Sequence, residues 1–179
     1  MKLIILDRDG VINYDSEQFI KKPEEWKPIP GSLEAIARLN QADYRVVVAT
    51  NQSGIGRGLF DMSGLNAING VMHKACAQVG AHIDAVFFCP HMNETDCDCR
   101  KPKSGLFEEI AERYNLTTLK NVPVVGDSLR DLQPAAALGA QPFLVLTGKG
   151  KKTLDAGNLP QGTQAFPDLA AVVDAILLS

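Results

Sequence analysis

Two aspartates stand one residue apart near the start of the chain, directly after a short run of apolar residues. The segment reads KLIILDRDG, which places Asp7 and Asp9 where the first predicted strand ends. Carboxylates this close repel each other, so the pair needs a compensating charge. Hard oxygen ligands with room for water suit Mg²⁺. The pair is therefore our first candidate for a catalytic metal site.

Other polar residues follow predicted strands in the same manner. Thr50 ends the segment YRVVVAT, and Asp127 ends NVPVVGD. A single aspartate at a strand end has an ordinary explanation, because aspartate often starts a turn or caps a helix. Several polar residues at corresponding strand ends favour a shared site instead, because parallel sheets bind ligands at that edge. We predict that Asp7, Asp9 and Asp127 hold Mg²⁺.

A second set of possible metal ligands occupies the segment CPHMNETDCDC. Cys89, His91, Cys97 and Cys99 follow the spacing C-x-H-x₅-C-x-C. Three thiolates and one imidazole match tetrahedral Zn²⁺, although the spacing is tighter than in ordinary zinc fingers. Four protein ligands leave no open position for substrate water, so this zinc would be structural. The remaining cysteine, Cys76, lies in a predicted helix, where a small buried side chain is the better interpretation.

The elements that position these residues alternate between strands and helices. Short continuous apolar runs predict buried strands, and the segments between them have apolar residues at helical spacing. This alternation predicts an α/β fold, a doubly wound parallel sheet with helices on both faces. Ser32 is a candidate N-cap of the first helix, and Asp61 or Ser63 of the second. The predicted strands are 2–6, 44–50, 83–89, 121–127 and 142–148, and the predicted helices are 32–42, 61–79, 104–114, 128–139 and 166–178.

Length and composition limit the possible class of protein. The 179 residues favour one domain over 1–179 with a full hydrophobic core. A net charge of −3 gives no broad basic field for nucleic acid. No apolar run is long enough to span a membrane, and the aspartates come too early for a signal peptide. We therefore expect a cytoplasmic protein, a monomer, whose cysteines are thiols or metal ligands.

Four segments resemble the motifs of the haloacid dehalogenase superfamily, and they occur in the same order. LDRDGVIN is similar to its nucleophile motif, VVVATNQSG to the second motif, CRKPKSG to the third and VVGDSLRD to the fourth. Within that superfamily, the cysteine-rich segment ending in C-R-K-P is similar to the heptose-bisphosphate and histidinol phosphatases. The similarity extends over nearly the whole chain, and the matching loop of that family strengthens the zinc assignment.

The resemblance implies a phosphatase that works through an aspartyl phosphate. Asp7 would attack phosphorus. Asp9 would protonate the leaving oxygen and then activate water, and its backbone carbonyl would be a Mg²⁺ ligand. Thr50, the Asn51 backbone N–H and Lys101 would hold the transferring phosphoryl group. Asp127 would ligate Mg²⁺.

Two positions of the fourth motif leave alternatives open. Relatives often carry lysine after the motif aspartate, whereas this chain has Ser128, so one phosphate contact is either missing or supplied from elsewhere. Asp131 follows one helical turn later. It either supports the site or is an exposed charge on the helix.

The spacing of the motifs leaves no room for the cap domain that many superfamily members carry. Only 40 residues separate Asp9 from Thr50, and a predicted helix and strand use nearly half of them. The pocket must then be built from the loops 13–28, 51–58 and 89–103. In the family, the segment corresponding to 15–18 contacts the sugar, and arginine chelates phosphate oxygens well. The candidate substrate-binding residues are Asp15, Ser16, Glu17, Gln18, Asn51, Gln52, Ser53, Arg57 and Arg100, with either arginine a candidate for a second phosphate.

The resemblance implies Mg²⁺-dependent hydrolysis of the 7-phosphate of a heptose 1,7-bisphosphate, a step toward the ADP-heptose precursors of the lipopolysaccharide core. The partner would be a small sugar bisphosphate, with no nucleic acid and no membrane. An alternative is the same chemistry on histidinol phosphate or another small phosphate ester. A zinc-containing interaction module without activity is disfavoured, because it gives no reason for polar residues at successive strand ends.

Overall fold

A six-stranded parallel sheet forms the centre of the molecule, as the computed structural model of all 179 residues shows. Its spatial order is β3-β2-β1-β4-β5-β6, so the chain winds outward from β1 first in one direction and then in the other. The predicted doubly wound sheet is therefore confirmed. The strands are β1 (Lys2–Leu6), β2 (Tyr44–Asn51), β3 (Ala85–Cys89), β4 (Pro123–Gly126), β5 (Gln141–Val145) and β6 (Gln164–Phe166).

Helices cover both faces of the sheet because the strands are apolar on both sides. In β1, Ile4 and Leu6 join the larger core cluster, which includes residues of α1, α3 and α7. Leu3 and Ile5 point the other way, into the cluster formed with α4 and α5. The helices are α1 (Ser32–Gln41), α2 (Ser53–Gly56), α3 (Met62–Gln78), α4 (Gly105–Arg113), α5 (Leu129–Ala137), α6 (Gly150–Ala156) and α7 (Leu169–Leu177), with a 3₁₀ turn at Pro23–Glu25.

The structure differs from the sequence prediction in its short elements. A sixth strand and the helices α2 and α6 were not predicted, because three to seven residues are too few to show a period. The N-cap prediction for Ser32 is wrong. Gly31 takes that position with a φ of 86°, and the Ser32 hydroxyl instead donates to the Val11 carbonyl at 2.9 Å. Asp61 does cap α3, accepting from the Gly64 N–H at 2.8 Å.

Loops, rather than an inserted cap domain, cover the carboxyl edge of the sheet. The segment between β1 and α1 contains only a 3₁₀ turn, and the segment between β3 and α4 has no regular element. Both loops therefore stay close to the strand ends and can line a cavity there. None of the helices combines the length and the apolar composition of a membrane span.

Candidate active site and cysteine-histidine cluster

The carboxyl ends of β1, β2 and β4 open into a cavity of about 280 Å³. It lies where the winding direction of the sheet reverses, which is where doubly wound sheets bind ligands. Only two of its 19 lining residues are hydrophobic, so its chemistry suits a polar, charged ligand. The predicted site residues that line it are Asp7, Asp9, Asp15, Ser16, Glu17, Thr50, Asn51, Gln52, Ser53, Arg57, Arg100, Lys101 and Asp127.

Asp7 follows β1 directly and lies at the carboxyl edge of the sheet. Its Oδ1 accepts from the Arg8 backbone N–H at 2.8 Å and from Lys101 Nζ at 3.1 Å. Its Oδ2 accepts no hydrogen bond from the protein. Burial and the nearby Asp131 charge raise the pKa of Asp7 well above its usual range, against the opposing effect of Lys101. The free Oδ2 is the atom available to a cation or an electrophile.

Lys101 reaches the edge of the sheet from the cysteine-rich loop and is 2% exposed. Its Nζ donates to Asp131 Oδ1 at 2.6 Å, to the Ala49 carbonyl at 2.7 Å and to Asp7 Oδ1. Burial would lower the pKa of Lys101, but the two carboxylates outweigh burial and raise it. Asn51 fixes the Lys101 backbone through two hydrogen bonds of 3.0 Å, one to its carbonyl and one from its N–H. Lys101 is therefore a charged group held in one place.

Asp131 supports the site, and the alternative of an exposed helix charge is excluded. It is 3% exposed at the start of α5. Its Oδ2 accepts from the N–H and the hydroxyl of Ser128 at 3.2 and 3.1 Å, while Oδ1 accepts from Lys101. Both oxygens are thus occupied, and Asp131 orients Lys101. Ser128, at the position where relatives often carry lysine, is directed at Asp131.

Asp9 has a different environment from Asp7. Its Oδ1 accepts from Arg8 Nε and from Asn13 Nδ2, each at 2.9 Å. Its Oδ2 accepts from Gln52 Nε2 at 3.2 Å and from Arg8 Nη2 at 3.3 Å. Burial alone would raise the pKa of Asp9, but the buried Arg8 guanidinium and the amide donors outweigh burial and lower it. The pKa values of the two neighbouring aspartates are therefore pushed apart.

Asp127 follows β4 and brings a further carboxylate to Asp7. Carboxylate oxygens of Asp7, Asp127 and Asp131 lie within 4.8 Å of one another. Burial, together with the Asp131 charge, raises the pKa of Asp127 to about 7. Its Oδ2 accepts from the Lys149 N–H at 2.9 Å, and its backbone carbonyl accepts from the Thr153 hydroxyl at 2.8 Å. The turn before α6 and α6 itself therefore fix this carboxylate.

Two glycines allow the backbone to approach Asp127. Gly10 and Gly148 have φ values of 86° and 55°, in the left-handed region that favours glycine. A Cβ atom on either residue would lie 2.1 or 2.3 Å, respectively, from Asp127 Oδ2. The Thr147 hydroxyl donates to the Gly10 carbonyl at 2.6 Å and joins the loop after β5 to the loop after β1. Both positions are therefore restricted to glycine.

The oxygen donors at this edge fit a hard divalent cation. Asp7 Oδ2, Asp127 Oδ1 and the Asp9 backbone carbonyl accept no hydrogen bond from the protein. Two of these atoms belong to carboxylates whose pKa is raised by burial and by the charge of Asp131, an effect that a bound cation would relieve. Such oxygen donors, with space for water, are the kind that Mg²⁺ takes.

The cysteine-histidine cluster of Cys89, His91, Cys97 and Cys99 assembles beside the cavity, and its four ligand atoms lie within 4.8 Å of one another. The Cys89 and Cys97 Sγ atoms are 3.8 Å apart, and His91 Nδ1 lies 3.4 Å from Cys89 Sγ and 3.3 Å from Cys99 Sγ. Tetrahedral zinc with Zn–S bonds of about 2.3 Å separates two sulfurs by about 3.8 Å. The cluster therefore fits a tetrahedral metal.

The cluster also determines where the basic residues of the neighbouring loop lie. Cys99 immediately precedes Arg100 and Lys101. Arg100 Nη1 donates to the His91 carbonyl at 3.3 Å, so the guanidinium is tied to the cluster as well as to the cavity. Cys76, in contrast, is buried in the core on α3, as predicted.

The loop after β1 forms another side of the cavity. Asp15, Ser16 and Glu17 line it, whereas Gln18 lies outside the lining. The Gln18 N–H donates to Ser16 Oγ at 3.2 Å, and its carbonyl accepts from Lys21 Nζ at 2.8 Å. Gln18 therefore belongs to the internal turn of this loop.

Several site residues were not predicted from the sequence. Arg8 and Asn13 hold Asp9, and both belong to the segment LDRDGVIN, in which nothing local shows that their side chains turn toward Asp9. Lys149 directly follows the predicted strand 142–148, so the strand-end rule that identified Asp127 could have found it. Arg130 also lines the cavity, but in the sequence it is one more charged residue on a predicted helix.

Comparison with known proteins identifies relatives over the whole chain. Residues 98–172 match the family model described as HAD-hydrolase-like. A D-glycero-beta-D-manno-heptose-1,7-bisphosphate 7-phosphatase of Bordetella bronchiseptica is 59% identical to this chain, and the match covers 99% of this chain and 98% of the relative. The phosphatase of the same name from Pseudomonas putida is 51% identical, and the match covers 99% of this chain and all of the relative.

Solved structures agree with this assignment. The D,D-heptose 1,7-bisphosphate phosphatase of B. bronchiseptica, complexed with magnesium and phosphate, superposes with a TM-score of 0.97 at 59% identity, over 99% of each chain. The corresponding phosphatase of Burkholderia thailandensis has a TM-score of 0.80 at 57% identity, over the full length of both chains. The chain therefore belongs to the D-glycero-beta-D-manno-heptose-1,7-bisphosphate 7-phosphatase family of HAD-like hydrolases.

Proposed function

We propose that the chain is a phosphatase that removes the 7-phosphate of D-glycero-β-D-manno-heptose 1,7-bisphosphate. The main support is the free Oδ2 of Asp7, which lies in a polar cavity beside the fixed ammonium of Lys101. Full-length relatives at 51% and 59% identity carry the name of this activity. Release of the 7-phosphate would leave heptose 1-phosphate and inorganic phosphate as products.

In the first half of the reaction, one carboxylate oxygen of Asp7 attacks phosphorus. A bond forms between that oxygen and phosphorus while the bond from phosphorus to the sugar oxygen breaks. The fixed charge of Lys101 and the buried Thr50 hydroxyl would stabilise the phosphoryl oxygens, on which the charge of the transition state lies. Asp131 would keep Lys101 in position through its 2.6 Å contact.

Asp9 would give a proton to the departing sugar oxygen. Its environment in the free protein favours the carboxylate form. A phosphate dianion bound next to it adds negative charge, which raises the proton affinity of a neighbouring carboxylate. Substrate binding would therefore bring Asp9 into the form that the first half of the reaction needs.

In the second half, water attacks the phosphorus of the aspartyl phosphate. Asp9, again a carboxylate, takes a proton from that water, and the bond between phosphorus and Asp7 breaks. Arg8, Asn13 and Gln52 hold Asp9 in the ionised form that can accept this proton. The products are inorganic phosphate and the original Asp7 carboxylate.

The two metal sites would have separate tasks. Asp7, Asp127 and the Asp9 carbonyl would hold Mg²⁺, in agreement with the magnesium and phosphate complex of the B. bronchiseptica relative. Bound Mg²⁺ would offset the charge of the phosphoryl oxygens and so weaken their repulsion from Asp7. The cysteine-histidine cluster would hold a structural Zn²⁺ and fix the loop that carries Arg100 and Lys101.

The second phosphate of the substrate would bind at the outer part of the cavity. Arg57 and Arg100 line the cavity, and neither forms an ion pair with a carboxylate. A guanidinium can chelate two phosphate oxygens at once. With no cap domain to enclose the sugar, these contacts would supply much of the binding energy.

A phosphate-release screen with Mg²⁺ tests the proposed function. The substrates are the β and α anomers of the heptose 1,7-bisphosphate, heptose 7-phosphate and histidinol phosphate. We expect the highest kcat/KM with the β-bisphosphate, with release from the 7-position. A preference for histidinol phosphate would reject the proposed substrate and support the alternative from the sequence.

A further inference from the structure

Arg130 occupies the first turn of α5, at the mouth of the cavity described above. It is half-buried and lines that cavity together with Arg100. The same two arginines, together with Asn93 and Lys101, also line an adjacent surface depression, whereas Asp7 and Asp127 do not. Arg100 and Arg130 therefore lie between the catalytic carboxylates and the outside of the molecule.

Arg130 lacks the partners that hold the other cations of the cavity. Lys101 is paired with two carboxylates, and Lys149 Nζ lies 3.5 Å from Asp15 Oδ2. Arg57 lies over the Phe19 ring at 5.7 Å, and Arg100 donates to the His91 carbonyl. The Arg130 guanidinium has neither an ion pair nor a hydrogen bond in the structure.

The position of Arg130 is also electrostatically unfavourable in the free protein. The N-terminal turn of a helix carries a partial positive charge, which disfavours a cation. A second guanidinium, that of Arg100, lines the same cavity and the same depression. A half-buried cation with no partner, near another cation at a helix N-terminus, is a group that an anion would stabilise.

We infer that Arg130 is a specificity residue that binds the phosphate of the substrate that is not transferred, together with Arg100. The inference rests on the proposed function and adds to it a residue that the sequence motifs did not indicate. The location between the catalytic cavity and the outer depression favours the distant phosphate over the phosphoryl group at Asp7. The phosphoryl group at Asp7 already has a cation beside it, because Lys101 Nζ lies 3.1 Å from Asp7 Oδ1.

The test compares a bisphosphate with a monophosphate. We expect Arg130→Gln to lower kcat/KM for heptose 1,7-bisphosphate by roughly 10- to 100-fold, the effect of a lost charge-assisted contact. For heptose 7-phosphate, which lacks the second phosphate, kcat/KM should change by less than about threefold. Arg130→Lys keeps the charge but loses the two-pronged donor, so it should recover only part of the bisphosphate activity.

Inorganic phosphate provides a second measurement. As a product it binds where the phosphoryl group is transferred, so its inhibition constant should be the same in wild type and Arg130→Gln. Arg113→Gln is the matched control, because Arg113 is exposed at the end of α4 and outside the cavity. The melting temperature of ligand-free Arg130→Gln should equal or exceed that of the wild type, because a repulsive charge is removed.

The outcomes separate this inference from the proposed function. If Arg130→Gln lowered kcat/KM equally for both substrates, or weakened inhibition by inorganic phosphate, Arg130 would be assigned to the transferred group. Either result would overturn this inference but not the proposed function. An unchanged kcat/KM for the bisphosphate would overturn it as well. A wild type that does not hydrolyse the bisphosphate would overturn the proposed function and the inference with it.

Discussion

The two aspartates of the LDRDG segment show how neighbouring residues of one type acquire different properties. Burial and the charges of three other carboxylates raise the pKa of Asp7, against the opposing effect of Lys101 from the cysteine-rich loop. Asp9 receives an arginine and two amides, and its pKa is lowered. The sequence predicts that the pair shares a site. It does not predict which side chains produce this contrast, because Lys101 and Gln52 come from distant segments.

Amide substitutions test the roles of the two aspartates. We expect Asp7→Asn to lose all measurable turnover, because an amide oxygen does not replace the attacking carboxylate. Asp9→Asn should lose roughly 10²–10⁴-fold in kcat, the usual size of a general acid–base contribution. Phosphate release with Mg²⁺ measures both effects, with circular dichroism as a check of the fold.

Asp155→Asn is the matched control, because Asp155 is exposed on α6 and should leave turnover unchanged. Near-normal activity of Asp7→Asn in protein free of contaminating phosphatase would contradict the assignment of the nucleophile.

Strands and helices with a clear pattern of apolar residues were predictable from the sequence. The short segments that complete the site were not. The strands that carry Asp7, Thr50 and Asp127 are apolar enough to be identified from sequence alone. The segment 147–153 holds Asp127 through Lys149 and Thr153, but it is a turn followed by a seven-residue helix without a visible period. Its role depends on contacts across the sheet edge, which local patterns do not encode.

The cysteine-histidine cluster should hold about one zinc per chain, because it supplies one four-ligand site. Replacing Cys97 or Cys99 by serine should abolish zinc binding and raise KM, because Arg100 and Lys101 lose the anchor of their loop. Elemental analysis and substrate titrations measure both effects.

Cys76→Ala is the matched control, since it removes a thiol that lies outside the cluster. That variant should keep its zinc, at the cost of some stability in the core. If protein prepared without chelators contained no zinc, the assignment of a zinc site would be wrong.

Because two loops lie close to Asp127, a larger residue in one of them should weaken Mg²⁺ binding. Gly148→Ala places a methyl group 2.3 Å from Asp127 Oδ2, so this ligand must move. We expect the Mg²⁺ concentration for half-maximal activity to rise by roughly tenfold, the usual size of the effect when a metal ligand loses its support.

Gly70→Ala in α3 is the control, because a Cβ there meets no atom within 4 Å. It should leave the Mg²⁺ dependence unchanged and stabilise the helix by about 0.5–1 kcal/mol. A normal Mg²⁺ dependence of folded Gly148→Ala would contradict the proposed part of Asp127 in the metal site.

At the scale of the whole molecule, the buried charges are concentrated at one edge of an apolar core. The sheet and both core clusters are almost entirely hydrophobic, whereas buried carboxylates and cations meet at the carboxyl ends of β1, β2 and β4. Asp7 and Asp127 have raised pKa values there, so their ionisation is less favourable in the folded chain than in the unfolded chain. The arrangement that prepares the site for a cation therefore destabilises the protein without one.

This predicts a pH dependence of stability that disappears when Mg²⁺ is bound. The pKa of Asp127 is about 7 in the metal-free fold, against an ordinary value of 3.8. Between these values the folded chain binds more protons than the unfolded chain, so the free energy of unfolding falls as the pH rises from about 4 to 7. Mg²⁺ at about 100 times its dissociation constant should raise the free energy of unfolding by about 2.7 kcal/mol. This corresponds to a rise of roughly 5–10 °C in melting temperature.

Thermal denaturation at pH 5, 6 and 7.5, with and without Mg²⁺, measures this effect. Dialysis rather than a chelator should remove Mg²⁺, so that the cysteine-histidine cluster keeps its metal. Asp127→Asn cannot ionise at this position, so it should be more stable than wild type at pH 7.5 without Mg²⁺, less dependent on pH, and barely stabilised by Mg²⁺. If wild type and Asp127→Asn gained the same stability from Mg²⁺, the cation would bind elsewhere, and the carboxylates at the sheet edge would need another role.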